Sequence, residues 1–88
     1  MKLTVYGPLR SATGEKRVRV DPDGETVRAV VEAFVAAYPR AESHLVDEAG
    51  DLRPSVRVTV DGERAALDED CPPDADVALF PAMRGGSR

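Results

Sequence analysis

The fold is decided by residues 26–39, which read TVRAVVEAFVAAYP. The large apolar side chains of this stretch recur at i, i+3, i+4, i+7, i+8 and i+11, and they are Val27, Val30, Val31, Phe34, Val35 and Tyr38. This spacing predicts an α-helix with one apolar stripe. Thr26 is the predicted N-cap, because its hydroxyl can accept a hydrogen bond from a first-turn amide, and Pro39 is expected to end the helix. Since many of these residues are β-branched, the helix must be held by packing on a sheet rather than by propensity.

Segments with a period of two lie on both sides of this helix and predict strands. Two segments precede the helix and are joined by a loop over residues 7–14, so they form a hairpin. A third ends at Asp61-Gly62, a dipeptide typical of turns. The predicted strands are residues 2–6, 17–20, 56–60 and 77–80, with a short edge strand at 64–67.

This β-β-α-β-(β)-β order predicts an α+β roll, in which one main helix packs on one face of a mixed four- to five-stranded sheet. With 88 residues the chain forms a single domain, and such a domain buries about 60% of its unfolded surface. We expect residues 1–83 to form the folded domain and residues 84–88 to form a flexible tail. The small core leaves little room for an enclosed active site, which favours a carrier, adaptor or binding module over an enzyme.

The charge distribution disfavours nucleic acid as a partner. The formal net charge is -4, and residues 41–88 carry eleven acidic and five basic residues. An acidic chain without a basic stripe repels phosphate backbones. The acidic C-terminal half is expected either to confer solubility or to steer a basic partner.

Cysteine content and hydropathy indicate a reduced, cytoplasmic compartment. Cys71 is the only cysteine, which excludes an internal disulfide and an iron–sulfur cluster held by cysteines of one chain. The N-terminus lacks the apolar run of a signal peptide, and no stretch approaches the roughly 20 apolar residues of a membrane span.

No catalytic or metal-binding constellation is visible in the sequence. His44 and Cys71 lack a recognisable nucleophile context, so both are expected to be structural or incidental. The acidic run Asp68-Glu69-Asp70 lacks the ligand spacing of a calcium loop and is expected to be a solvated charge run. We therefore expect no bound cofactor or metal, and no enzymatic activity.

Three stretches make the chain resemble the MoaD/ThiS sulfur carriers and their archaeal ubiquitin-like relatives. They are residues 6–10 with 13–15, residues 24–27, and residues 60–63 with 73–81 leading to Gly85-Gly86. The resemblance covers residues 1–86. A Gly-Gly pair alone is a weak signal, but its position just after a Val-Ala-Leu-Phe-Pro strand is more specific. The resemblance implies a β-grasp (ubiquitin-like) fold.

The resemblance also implies a chemistry for the tail. An E1-like adenylating enzyme of the MoeB/ThiF type uses ATP to adenylate the Gly86 carboxylate, and sulfur then replaces the adenylate to give a thiocarboxylate. The sulfur passes to a cofactor precursor, through an acceptor such as the large subunit of molybdopterin synthase, or to tRNA. In archaeal relatives the activated glycine also forms isopeptide bonds with lysines of target proteins. The sequence does not distinguish sulfur transfer from conjugation to lysine.

The last two residues depart from the family pattern. Ser87 and Arg88 follow the second glycine, whereas family tails usually end there. Either a protease removes them, or the domain is an interaction module with an unused tail. Glycine lacks a Cβ, so Gly85-Gly86 can thread extended through a narrow channel of a partner.

Residues near the tail are candidates for partner contacts. If Val77 and Leu79 point into the core, Phe80 faces outward, and with Arg57 and Thr59 it forms a docking contact for the activating enzyme; a register shifted by one would instead bury Phe80.

Two further pairs of residues complete the candidate set. Met83 and Arg84 are expected at the channel entrance, where Arg84 either pairs with a carboxylate of the partner or stays solvated. Lys2 and Lys16 are the only lysines and are the candidate internal acceptors.

Overall fold

The computed structural model describes residues 1–81, which form one mixed sheet covered on one face by helices. The strands are β1 (Lys2–Val5), β2 (Arg17–Arg19), β3 (Arg57–Val60), β4 (Glu63–Arg64) and β5 (Val77–Phe80). The helices are α1 (Pro8–Thr13), α2 (Val27–Ala37) and α3 (Glu42–Leu45), with a 3₁₀ turn over Pro39–Ala41 between α2 and α3. The expected boundary between domain and tail at residues 83 and 84 lies outside the described residues.

The first and last strands lie side by side in the middle of the sheet. The strand order is β2-β1-β5-β3-β4. β1 and β5 are parallel, with Leu3 opposite Val77 and Val5 opposite Leu79, while all other neighbours are antiparallel. Parallel neighbours cannot be joined by a hairpin, so the intervening chain crosses one face of the sheet and carries α2 with it. The end of β5 therefore leaves the sheet between two inner neighbours.

The core lies between α2 and one face of the sheet. The apolar stripe of α2 contributes four buried side chains, namely Val27, Val30, Val31 and Phe34. The sheet contributes one inward-facing set, namely Leu3, Val5, Val18, Val58, Val77 and Leu79. Val35 and Tyr38, the outer members of the predicted stripe, are only partly buried against this core. The predicted sheet with one main helix on one face is confirmed.

The N-terminus of α2 is closed by its cap and by a distant loop. As predicted, Thr26 is the N-cap, and its Oγ1 accepts from the amide of Ala29 at 3.2 Å. The amide of Val27 donates to the carbonyl of Glu69 at 3.0 Å, and the amide of Arg28 donates to the carbonyl of Leu67 at 2.8 Å. These first-turn amides have no partner within the helix. The loop before β5 therefore fastens the start of α2.

Replacing Thr26 with alanine is expected to lower the free energy of unfolding by about 0.5–2 kcal/mol, because the amide of Ala29 loses its acceptor. Urea unfolding followed by circular dichroism measures the change. Thr26→Ser is the control, since it keeps the hydroxyl and should stay close to the parent. Equal stability of the serine and alanine variants would contradict the capping role.

The short helix α1 was not predicted from the sequence. Residues 7–14 were expected to be a loop, but Pro8–Thr13 form α1, and Leu9 is fully buried beneath it. Gly14 ends the helix at φ 79°, where its amide donates to the carbonyl of Arg10 at 2.9 Å. Fewer than two helical turns with a single buried residue leave no periodic pattern to detect.

The edge strand begins earlier than predicted. β4 covers Glu63–Arg64 rather than residues 64–67. Asp61 and Gly62 both have positive φ, 52° and 85°, so the hairpin turn is only two residues long. Pairing therefore begins at once, with Val60 opposite Glu63.

Candidate functional site

The candidate site is the end of the sheet from which the tail departs. Pro81, the last described residue, follows β5 directly and is itself buried. β5 lies between β1 and β3, so side chains from both neighbours flank this exit. The tail residues Met83, Arg84 and Gly85-Gly86, predicted as channel and terminus residues, lie outside the described part of the chain, as do Ser87 and Arg88.

The alternation along β5 places Phe80 on the open face of the sheet. Val77 and Leu79 are 1% and 0% exposed, whereas Ala78 and Phe80 are partly exposed on the opposite side. The register-shifted alternative, in which Phe80 belongs to the core, does not describe this structure. Arg57 lies opposite Phe80 and Thr59 lies opposite Ala78, so the three predicted contact residues share one face.

Phe80 forms an aromatic patch with Tyr6. The two rings stack with centroids 4.6 Å apart and planes 6° from parallel. Lys16 Nζ lies 5.8 Å from the centroid of the Tyr6 ring, a distance at which a cation is attracted by the ring. Tyr6 is 37% exposed. We define the aromatic patch as Tyr6 and Phe80, with Lys16 and Arg57 at its borders.

Tyr6 was absent from the predicted site because it reaches Phe80 only through the parallel pairing of β1 with β5. That pairing joins opposite ends of the chain, and local patterns do not specify it. A signal was present in the composition, however. The chain has two tyrosines and two phenylalanines, and Phe34 and Tyr38 are assigned to the helix, which leaves Tyr6 and Phe80 available for one surface.

The two lysines occupy different ends of the open face. Lys16 borders the aromatic patch, where its carbonyl accepts from the amide of Val5 at 2.8 Å. Lys2 is exposed at the start of β1, opposite Arg19. Their role as acceptors stays a prediction. Modification at Lys16 would place a bulky group on the aromatic patch, whereas modification at Lys2 would leave that patch open.

Cys71 is buried at the base of α2 and is poorly suited to carry sulfur. It is 1% exposed, and its amide donates to the carbonyl of Glu25 at 2.7 Å. Burial raises the pKa of the Cys71 thiol, and the nearby charge of Asp61 raises this pKa further. The thiolate is the nucleophilic form of cysteine, so a raised pKa lowers reactivity at neutral pH.

Within residues 1–81, no three His, Cys, Asp or Glu side chains lie close enough together to hold a metal ion. His44, in α3, is half-buried. In the same part of the chain, no helix has the length and apolar character needed to span a bilayer.

Comparison with known families matches nearly the whole chain. The model of the ThiS family aligns with residues 3–86, from β1 through the second glycine of the tail. The chain belongs to the ThiS family. A relative of this ThiS-family chain, small archaeal modifier protein 1 of Haloferax volcanii, is 37% identical over 87 residues, covering 98% of this chain and all of the relative.

Solved structures confirm the β-grasp fold of this ThiS-family chain. The crystal structure of SAMP1 from Haloferax volcanii superposes with a TM-score of 0.89 at 37% identity and covers 98% of both chains. CysO of Mycobacterium tuberculosis gives a TM-score of 0.78 at 26% identity, covering 93% of this chain and 98% of that one. A chain of the Amycolatopsis orientalis BexX/CysO complex gives 0.81 at 24% identity, covering 97% and 98%. The similarity to the Amycolatopsis orientalis chain, at 24% identity, concerns the fold alone. The chain is thus a member of the family of ubiquitin-like small modifiers and sulfur carriers.

Proposed function

We propose that this chain is a carrier whose Gly86 carboxylate is adenylated by an E1-like enzyme of the MoeB/ThiF type and then converted to a thiocarboxylate or joined to a lysine. The observation that carries the proposal is the end of the family match at residue 86, which is the second glycine and leaves Ser87 and Arg88 outside. A protease removes those two residues before activation. The chain itself supplies the terminus and the docking surface, and the partner in the cytoplasm supplies ATP and catalysis.

The chemistry needs a glycine terminus and an activating partner. A carboxylate is a poor electrophile until one oxygen becomes part of a leaving group. The Gly86 carboxylate oxygen attacks the α-phosphorus of ATP and releases pyrophosphate, which yields an acyl adenylate. A sulfur nucleophile then displaces AMP to form the carbon–sulfur bond, or a lysine amine displaces AMP to form an amide. Candidate recipients of the sulfur are an acceptor such as the large subunit of molybdopterin synthase, or tRNA. Candidate recipients in amide formation are lysines of target proteins, and Lys2 and Lys16 when the target is another copy of this chain.

The aromatic patch supports the docking half of this proposal. Its two rings lie on the open face beside the strand that leads into the tail. Ordering a tail residue in a channel costs about 1–2 kcal/mol in backbone entropy, and contacts of the folded domain must offset that cost. Buried aromatic and arginine side chains are the residues that most often dominate binding energy at interfaces. Phe80, Arg57 and Thr59 share one face, and Tyr6 stacks on Phe80, which supports the proposal that these four residues make such contacts.

Replacing Phe80 with alanine is expected to raise the KM for adenylation by about tenfold or more, because truncating an interface anchor costs about 2 kcal/mol. A pyrophosphate-exchange assay with the cognate adenylating enzyme measures KM and kcat. Val35→Ala is the control, since it removes apolar surface from the helix side. An unchanged KM in a Phe80→Ala variant with a native unfolding midpoint would remove Phe80 from the interface.

The function as a whole is tested by the intact mass of the protein isolated from its own cells under thiol-preserving conditions. We expect a species that ends at Gly86, part of it with sulfur in place of one carboxylate oxygen or joined to a target lysine. A chain that still ends in Ser87-Arg88, in cells where sulfur transfer is active, would favour an interaction module with an unused tail.

A further inference from the structure

The open face of the sheet is basic, although the chain as a whole is acidic. The strand register places nine described strand residues on this face, namely Lys2, Thr4, Arg17, Arg19, Arg57, Thr59, Arg64, Ala78 and Phe80. Five of these nine are basic and none is acidic, whereas the whole chain has 16 acidic and 12 basic residues. Lys16 adds a further positive charge at the border of the aromatic patch. Lys16, Arg17 and Arg57 lie at the end of the sheet from which the tail departs, whereas Lys2 and Arg19 lie at the other end of the same face.

Part of this arrangement opposes the stability of the sheet. Lys2 lies directly opposite Arg19. Arg17 lies on the same strand and face as Arg19, two residues before it. Like charges directly opposite one another on neighbouring strands are destabilising. Asp76 lines a surface groove together with Lys2, Arg17 and Arg19, and its negative charge offsets part of the repulsion. The fold nevertheless retains more positive than negative charge at this position.

Protection of sheet edges accounts for only some of these charges. Charged side chains on edge strands prevent pairing with other chains, and this explains Arg17, Arg19 and Arg64 on β2 and β4. It does not explain Lys2 and Arg57, because they lie on the inner strands β1 and β3. It also does not explain why the charges on this face share one sign.

We propose that the open face docks onto an acidic surface of the adenylating enzyme, with carboxylates of the partner surrounding an apolar contact to the aromatic patch. This inference rests on the proposed function and deepens it by assigning the chemistry of the partner's surface. Opposite potentials steer encounter and raise association rates, and this effect weakens as salt increases. The acidic remainder of the domain disfavours the wrong orientation, so steering brings the face with the tail exit toward the partner.

The same face is poorly arranged to bind RNA. Single-stranded bases stack on free aromatic faces. Here the Tyr6 and Phe80 rings already cover one face of each other at 4.6 Å, and Lys16 lies over the Tyr6 ring. The net charge of -4 also repels a phosphate backbone at longer range. A protein surface with carboxylates therefore suits the observations better.

Charge reversals at matched positions test the proposal. In the Gly86-terminated chain, R17E and R19E are combined in one variant, and R28E and R40E are combined in a control. Both variants change the net charge equally, but Arg28 lies in α2 and Arg40 lies in the 3₁₀ turn, away from the sheet. Arg19→Glu places an opposite charge across from Lys2, so the first variant should fold.

The readout is the rate of association with the adenylating enzyme at several salt concentrations, with kcat for adenylation measured alongside. We expect R17E/R19E to slow association by about tenfold at low salt and to flatten its salt dependence, with kcat unchanged, since steering of this kind raises on-rates by roughly 10-fold or more. R28E/R40E should stay within about twofold of the parent. Equal effects of the two variants, or a parent rate that does not respond to salt, would overturn the acidic-surface proposal.

Two further results separate this proposal from its alternatives. If the parent chain ending at Gly86 is adenylated with a salt-independent rate, the inference is wrong while the proposed function stands. If the parent is not adenylated at all, both are wrong. Fluorescence anisotropy with tRNA as the probe covers the other class of partner, and tRNA binding that is lost in R17E/R19E would also overturn the proposal.

Discussion

A chain that ends at Gly86 is expected to be adenylated by its cognate E1-like enzyme, and the chain that ends at Arg88 is expected to give no detectable adenylate. Adenylation acts on the terminal carboxylate, and in a chain that ends at Arg88 that group does not belong to Gly86. The serine and arginine side chains would also have to enter a channel for which glycine, without a Cβ, is suited. This is the largest functional effect that we expect from any change to the chain.

Pyrophosphate exchange with both forms of the chain measures this effect, and mass spectrometry detects the thiocarboxylate after a sulfur donor is added. A chain that ends at Gly85 is the matched control, because it keeps the folded domain and is shorter by one glycine. It should bind the enzyme and give little product, since its carboxylate stops short of the ATP. Equal activation of the forms ending at Gly86 and Arg88 would show that no trimming step is needed.

Replacing Phe34 with alanine is expected to remove about 3–5 kcal/mol of folding free energy. The side chain is fully buried at the centre of the α2 stripe, and its ring lies 5.5 Å from that of Tyr38. Small domains have a total stability of only about 5–15 kcal/mol, so the variant should be close to unfolding. A drop of roughly 12–40 °C in Tm follows from the usual 4–8 °C per kcal/mol for a domain of this size.

Thermal unfolding followed by circular dichroism tests this expectation. Phe34→Leu is the matched control and should retain most of the stability, because it keeps the site largely filled. At temperatures where Phe34→Ala is folded, its KM for adenylation should stay within about twofold of the parent, since the aromatic patch lies on the other face. A small change in Tm, of the size seen for an exposed residue, would contradict the packing described for α2.

Much of the fold was predictable because the pattern that encodes it is local. The helix stripe from Val27 to Phe34 and the alternation of Val77 and Leu79 specify both an element and its buried side. Each pattern repeats several times within one element, so the signal is strong. α1 was missed because it has a single buried residue, Leu9, and therefore no repeat.

The candidate site was predictable only in part. Alternation along one strand was sufficient to turn Phe80 outward, and the neighbouring strand supplied Arg57 and Thr59. Tyr6 and Lys16 were not placed beside Phe80, because their position depends on which strands pair and in which register. Such pairing is decided by burial over the whole sheet rather than by neighbours in sequence.

The sequence by itself therefore determined the element order, the buried faces of α2 and β5, the N-cap at Thr26 and the Gly85-Gly86 pair that follows β5, since each depends on a few adjacent residues. It also showed an acidic C-terminal half, from which steering of a basic partner was one expectation. Only the tertiary structure showed that Lys2, Arg17 and Arg19 share a face with Arg57 and Arg64 from the acidic half. A count of charges along the sequence does not show on which face of the folded domain the charged side chains lie. The parallel pairing of β1 and β5 joins both halves in one sheet, and side-chain alternation then gathers the basic residues on the face that bears Phe80.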